Sequence, residues 1–225
     1  NSGRQVPGTS NVADDNTDDA VVNVVPPVII KQATPDPVTI GDVVTFTLGV
    51  TVPPGTLLPT VVLTDVLSQD GFRYEGAFIQ NISGAPVSPA TIISTSVLNT
   101  IPSPGMTIIW DLGTIDNSTT TVLPYVFNLV FTTTVTGLND AGTGWVNFPT
   151  ASYTAPDQAI LRWDGLVGPQ TVGSNTTTTN VQQPLLRLTK AATPRDGVAG
   201  GDTVTFTITM TNVGSSPAYN LVLTD

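Results

Sequence analysis

The sequence contains no cysteine and no histidine. Without thiols there can be no disulfide, no zinc–thiolate site and no cysteine nucleophile. Without imidazole the commonest general base and metal ligand is also missing, which excludes most familiar hydrolase constellations. Charge is scarce as well: charged residues make up 11% of the chain, against roughly a quarter in ordinary globular proteins. There is a single glutamate, Glu75, and there are two lysines, Lys31 and Lys190. No apolar run approaches the ~18 residues a membrane-spanning helix needs. No leader of charged then apolar residues follows Asn1, so the sequence reads as a mature product or an excised segment.

What is present points to β-structure. The chain has 225 residues and 40% hydrophobic content, enough for a packed core and for one large domain, or one domain with pieces of its neighbours. Threonine occurs 38 times, and β-branched residues suit strands better than helices. The 20 glycines and 19 prolines punctuate the chain every few residues. Seventeen acids against seven bases give a net charge of −10, which repels phosphate backbones and argues against nucleic-acid partners.

The most informative pattern is internal repetition. Lys31-Gln-Ala-Thr-Pro35 and Gly41-Asp-Val-Val-Thr-Phe-Thr-Leu48 return as Lys190-Ala-Ala-Thr-Pro194 and Gly201-Asp-Thr-Val-Thr-Phe-Thr-Ile208, and each copy then reaches Val-Leu-Thr-Asp, at Asp65 and Asp225. The junctions Asn23–Pro27 and Asn180–Pro184 also correspond. The chain therefore divides into the tail of one module (1–26), a complete module (27–183) and the opening strands of an incomplete third (184–225). Val44, Phe46, Leu48 and Val50 alternate with threonines, as do Val204, Phe206, Ile208 and Met210. That period of two, apolar on one face and hydroxyl on the other, predicts half-buried antiparallel strands. Further strands are predicted over 60–66, 72–79, 91–98, 106–112, 122–136, 144–154, 158–163 and 177–189. Their number and spacing imply an all-β, Ig-like antiparallel sandwich, repeated in tandem.

Those blocks, with Asn220-Leu-Val-Leu-Thr-Asp225, Ile109-Trp-Asp-Leu-Gly113 and Trp145-Val-Asn147, resemble the prokaryotic cell-surface repeat known as "domain of unknown function eleven". The resemblance is tight over 187–225 and looser over 66–183, and Thr51-Val-Pro-Pro-Gly55 departs from its usual Thr-Asn-x-Gly. It implies tandem Ig-like sandwiches in long secreted proteins, a spacer or fibre role, and no catalytic residues.

Several clusters carry candidate chemistry. A lysine buried in an apolar core can attack a side-chain carbonyl while a nearby acid shuttles protons. Lys31 could form such an isopeptide bond with Asn147, with Asp65 or Glu75 as the acid; the alternative is a lysine lying along a strand edge. Asp14, Asp15, Asp18 and Asp19 could hold calcium at a module junction, or form a solvated acidic linker without EF-hand spacing. Otherwise no metal or other cofactor is expected. Asn81, Asn117 and Asn175 begin N-glycosylation triplets in predicted loops. Trp110, Trp145 and Trp163 could stack on sugars but read more simply as packing residues.

The leading functional reading is a non-enzymatic structural segment of an extracellular surface fibre, filament or stalk. Its partners would be neighbouring copies of itself, by head-to-tail β-strand addition with 1–27 as the candidate donor, or the rest of a longer repeat chain. An adhesin or glycan-binding module is the alternative, with Phe72, Tyr74 and Phe78 forming a concave aromatic patch. A hydrolase would need a carboxylate pair such as Asp111 with Asp116 or Asp157 with Asp164.

Overall fold

The computed structural model describes residues 25–67, 71–99, 105–119, 122–136 and 152–225. Thirteen strands run through them, with no helix: β1 (Val28–Thr34), β2 (Val38–Thr39), β3 (Val43–Val52), β4 (Thr56–Leu67), β5 (Phe72–Ser83), β6 (Ser94–Asn99), β7 (Met106–Asn117), β8 (Tyr125–Val135), β9 (Ser152–Gly165), β10 (Gly168–Gly173), β11 (Thr177–Gln182), β12 (Leu186–Thr193) and β13 (Thr205–Asn212). The protein is all-β. One sheet has the order β1-β3-β8-β5; the second has the order β2-β11-β9-β4-β7-β6, with β10 paired to β9; β12 and β13 form a separate pair.

The two large sheets enclose one core. Phe46, Leu48 and Val50 from β3 meet Phe127, Leu129 and Phe131 from β8, while Leu63 of β4, Trp110 of β7 and Leu161 of β9 close it from the other layer. Phe46 and Phe131 stack with centroids 4.7 Å apart, and Trp110 lies 5.0 Å from Phe131. Alternation buries one face of β3 and β8 in full, so a slip of one residue would turn every one of these rings to water.

Several boundaries differ from the expectation. The predicted strand over 177–189 is two, broken around Pro184, whose missing N–H cannot serve a ladder. β10, a hairpin return after β9, lacked the alternating apolar signal: its residues are Gly, Pro, Gln, Thr, Val and Gly. Leu123 falls within the strand predicted over 122–136 but lies outside β8 and is exposed. β2 pairs with β11 in parallel, Val38 opposite Val181, whereas the other pairings among the described residues are antiparallel.

The strand pairs β1–β3 and β12–β13 share a register. Lys31 lies opposite Leu48 and Ala33 opposite Phe46; Lys190 lies opposite Ile208 and Ala192 opposite Phe206. Each lysine ammonium sits 4.8 Å from its phenylalanine centroid. The surroundings then diverge: Phe46 is buried against Phe72 and Phe131, whereas Phe206 is 58% exposed.

Candidate functional site

The chemistry-bearing feature of the sandwich is a buried lysine between two aspartates. β1 alternates so that Ile29 and Lys31 point inward. Among the described residues its other edge has no strand neighbour. The Asn175 side chain takes that place, accepting the Lys31 N–H at 2.8 Å and donating to the Lys31 carbonyl at 3.0 Å. A bulge at Leu58–Val62 shifts the phase of β4, so Leu58 faces inward before it and Val61, Leu63, Asp65 and Leu67 after it. Thr60, inside the bulge, has φ of 50°. β4 pairs with β9 so that Asp65 lies opposite Ala159 and Leu67 opposite Asp157. The two carboxylates are thus diagonal neighbours on one sheet, and Lys31 reaches them from the other.

Lys31 Nζ donates a 2.5 Å hydrogen bond to Asp65 Oδ2 and lies 2.9 Å from Asp157 Oδ1. All three side chains are at most 1% exposed. The contact with Asp157 is at ion-pair distance but outside hydrogen-bond angles: among the described residues neither Asp157 oxygen, nor Asp65 Oδ1, has a hydrogen-bond partner. Phe46 and Phe131 wall the ammonium at 4.8 and 5.6 Å. Burial pushes both carboxyls up against the opposing pull of Lys31, Asp157 to about 6, with the negative charge of Asp65 adding to its rise. Two carboxyls pushed toward the neutral form by burial, beside one buried amine, make an arrangement suited to proton exchange and acyl transfer.

Of the predicted isopeptide residues, the structure brings Lys31 and Asp65 together. Glu75 is elsewhere, on the exposed face of β5, bonded to Arg73 at 3.0 Å and to Thr134 at 2.6 Å; these bonds, Thr134 first, lower its carboxyl. Asn147 lies outside the described residues, as do Trp145 and Asp14, Asp15, Asp18 and Asp19. Asp157 was missed as a partner for Lys31. Its signal was its phase, since Ala155, Asp157, Ala159 and Leu161 alternate along β9 and all are buried.

The glycosylation triplets are not all in loops. Asn81 lies within β5, its Oδ1 accepting from the Tyr125 hydroxyl at 2.5 Å. Asn117 ends β7 fully buried, its amide donating to the carbonyls of Val52, Pro53 and Leu123, so a glycan there is incompatible with the fold. Asn175 is in the β10–β11 turn, with its amide engaged by Lys31.

The aromatic patch does not form. A bulge between Tyr74 and Gly76 inverts the phase of β5, which leaves Phe72 in the core, Tyr74 half-buried against Trp110, and Phe78 58% exposed. Trp110 is core and Trp163 packs on its rim. The carboxylate pairs are also unmade: Asp111 accepts from the Gly113 N–H and Asp116 from Ser118, while Asp164 pairs with Arg162 on the exposed side of β9. Among the described residues no three acidic, histidine or cysteine side chains gather as a metal site, and no helix is long and apolar enough to cross a membrane.

The fold and site define a β-sandwich module with an internal lysine–carboxylate cluster. No protein-family model and no curated protein matches the chain. Among solved structures, it is similar to the C-terminal domain of the Streptococcus agalactiae AgI/II polypeptide BspA, at 14% identity and a TM-score of 0.45, covering 68% of this chain and 49% of that one. It is also similar to BcpA, the major pilin subunit of Bacillus cereus, at 10% identity, a TM-score of 0.43, and 83% and 55% coverage. A third, the full-length major pilin SpaD of Corynebacterium diphtheriae, gives 9%, 0.42, 73% and 36%. The chain thus spans about half or less of each. The likeness is one of general architecture.

Proposed function

We propose that the protein is a structural segment of an extracellular fibre or stalk, built from sandwich modules joined head to tail, and that it acts on no diffusible substrate. The observation that carries this reading is the repeated opening pair. β1–β3 and β12–β13 have the same register and the same lysine over the same phenylalanine, 159–160 residues apart, as two copies of one unit would. Leu188, Phe206 and Met210 are exposed on the second pair, an apolar surface that suits the packing of further strands. The abundant threonine and the net charge of −10 favour solubility and discourage lateral association.

Negative-stain imaging and sedimentation of native material test the reading. Extended rods with a regular module repeat are expected. Compact single particles whose dimensions match one sandwich, at every concentration, would refute it.

A further inference from the structure

We infer that Lys31 and Asp157 become joined by an amide bond between their side chains, formed by the protein itself with Asp65 moving the proton. A buried ion pair needs one carboxylate per amine, and isolated charge in such a place is costly. Here one amine faces two carboxyls, and they stand in different relations to it. Asp65 Oδ2 holds the hydrogen bond at 2.5 Å, as a proton acceptor should. Asp157 is 2.9 Å away without hydrogen-bond geometry, and its oxygens have no other partner among the described residues. An electrophile awaiting attack at its carbon would be held in this manner.

The reactive form is electrically neutral overall: Lys31 an ammonium, Asp65 a carboxylate, Asp157 a carboxylic acid. The ammonium passes one proton to Asp65. The freed amine attacks Cγ of Asp157, a C–N bond forms, and a tetrahedral carbon results. Asp65 takes up the second amine proton as it returns the first to the departing hydroxyl, and the C–O bond breaks. The products are a secondary amide, one water and a protonated Asp65. No oxidant, metal or co-substrate is required. Fixing the three groups in a dry aromatic pocket supplies the effective concentration that amide formation lacks in water. The product also replaces buried charges with a neutral group.

The chain carries its own control. Lys190 contacts Asp225 and stands over Phe206 as Lys31 stands over Phe46. Yet both its side chain and that of Asp225 are about half exposed, and no second carboxylate pairs with it among the described residues. Lys190 remains a free amine. The inference is independent of the fibre reading, because the bond forms within a single chain.

Intact mass of the denatured full chain should fall one water below the sequence mass. Trypsin should then skip Lys31 and release residues 5–73 covalently branched to residues 74–162. An amine-acylating reagent applied after denaturation should label Lys190 and not Lys31. Asp157→Ala should restore the full mass and Lys31 labelling. Asp65→Asn, folded by circular dichroism, should also stay at full mass. A wild-type chain at full mass overturns the inference, as does a water loss confined to the 5–73 peptide, which would place the bond on Asp65 or elsewhere. Continued branching in Asp65→Asn removes Asp65 from the chemistry.

Discussion

At Lys31 a single amine offsets two buried carboxyls, and its removal has a predictable sign. Burial, the largest influence on both Asp65 and Asp157, raises them, and the lysine opposes that rise. Lys31→Met keeps the volume and removes the opposition. A carboxyl raised on folding contributes stability below its unfolded value, 3.8, and that stability is lost as pH climbs through the folded value. Lys31→Met, which also cannot form the amide, should therefore be less stable at pH 8 than at pH 4 by about 3–5 kcal/mol in denaturant unfolding. Asn117 is a neutral counterpart: its buried amide donates to the carbonyls of Val52, Pro53 and Leu123, and Asn117→Ala should cost about 1–3 kcal/mol with little dependence on pH. The pairing of Lys31 with Asp65 was legible because the repeat returns both residues as Lys190 and Asp225. Asp157 has no second copy in the chain, and only the phase of β9 marked it.

At the level of strands, phase decides which aromatic residues matter. Phe131 is stacked on Phe46 and touches Trp110, so Phe131→Ala should cost about 3–5 kcal/mol. Phe78 lies on the neighbouring β5 but is turned outward by the bulge after Tyr74, so Phe78→Ala should change stability by roughly 0.5 kcal/mol or less. Equal losses in the two variants would mean that the bulge is misplaced. Gly84, just past β5, has φ of 84°, and a Cβ there would sit 2.8 Å from the Pro124 carbonyl oxygen. Gly84→Ala should accordingly lower stability by more than the ~1–2 kcal/mol of the left-handed conformation alone. Strict alternation made β3 and β8 readable from sequence. A bulge adds one residue without altering the local composition, which is why the inward turn of Asp65 and the outward turn of Phe78 could not be read in the same way.

At the scale of the whole molecule, the sandwich and the β12–β13 pair should differ in persistence. A two-stranded pair with one apolar face uncovered is marginal in water, whereas β3 and β8 are paired on both sides. Amide hydrogen exchange of the chain should be fast across 186–212 and slow across β3 and β8, by several orders of magnitude if opening of the core strands approaches global unfolding. Uniform protection would mean that the pair is covered. The repeated strand pair was visible in the sequence because two copies of one pattern share the chain; the strand order, with β9 between β4 and β11, depends on long-range pairing that no local pattern encodes.

The seam between the first and last strands of the sandwich has a mechanical consequence. Lys31 is clasped by Asn175, and Val38 and Thr39 run parallel to Val181 and Gln182, so the segment 31–39 travels alongside 175–182 in the same direction. Force applied to the two ends of this unit pulls those segments past each other lengthwise, loading their hydrogen bonds together in shear instead of opening them one at a time. Rupture should then come as a single high-force event in single-molecule stretching, and Asn175→Ala should lower it.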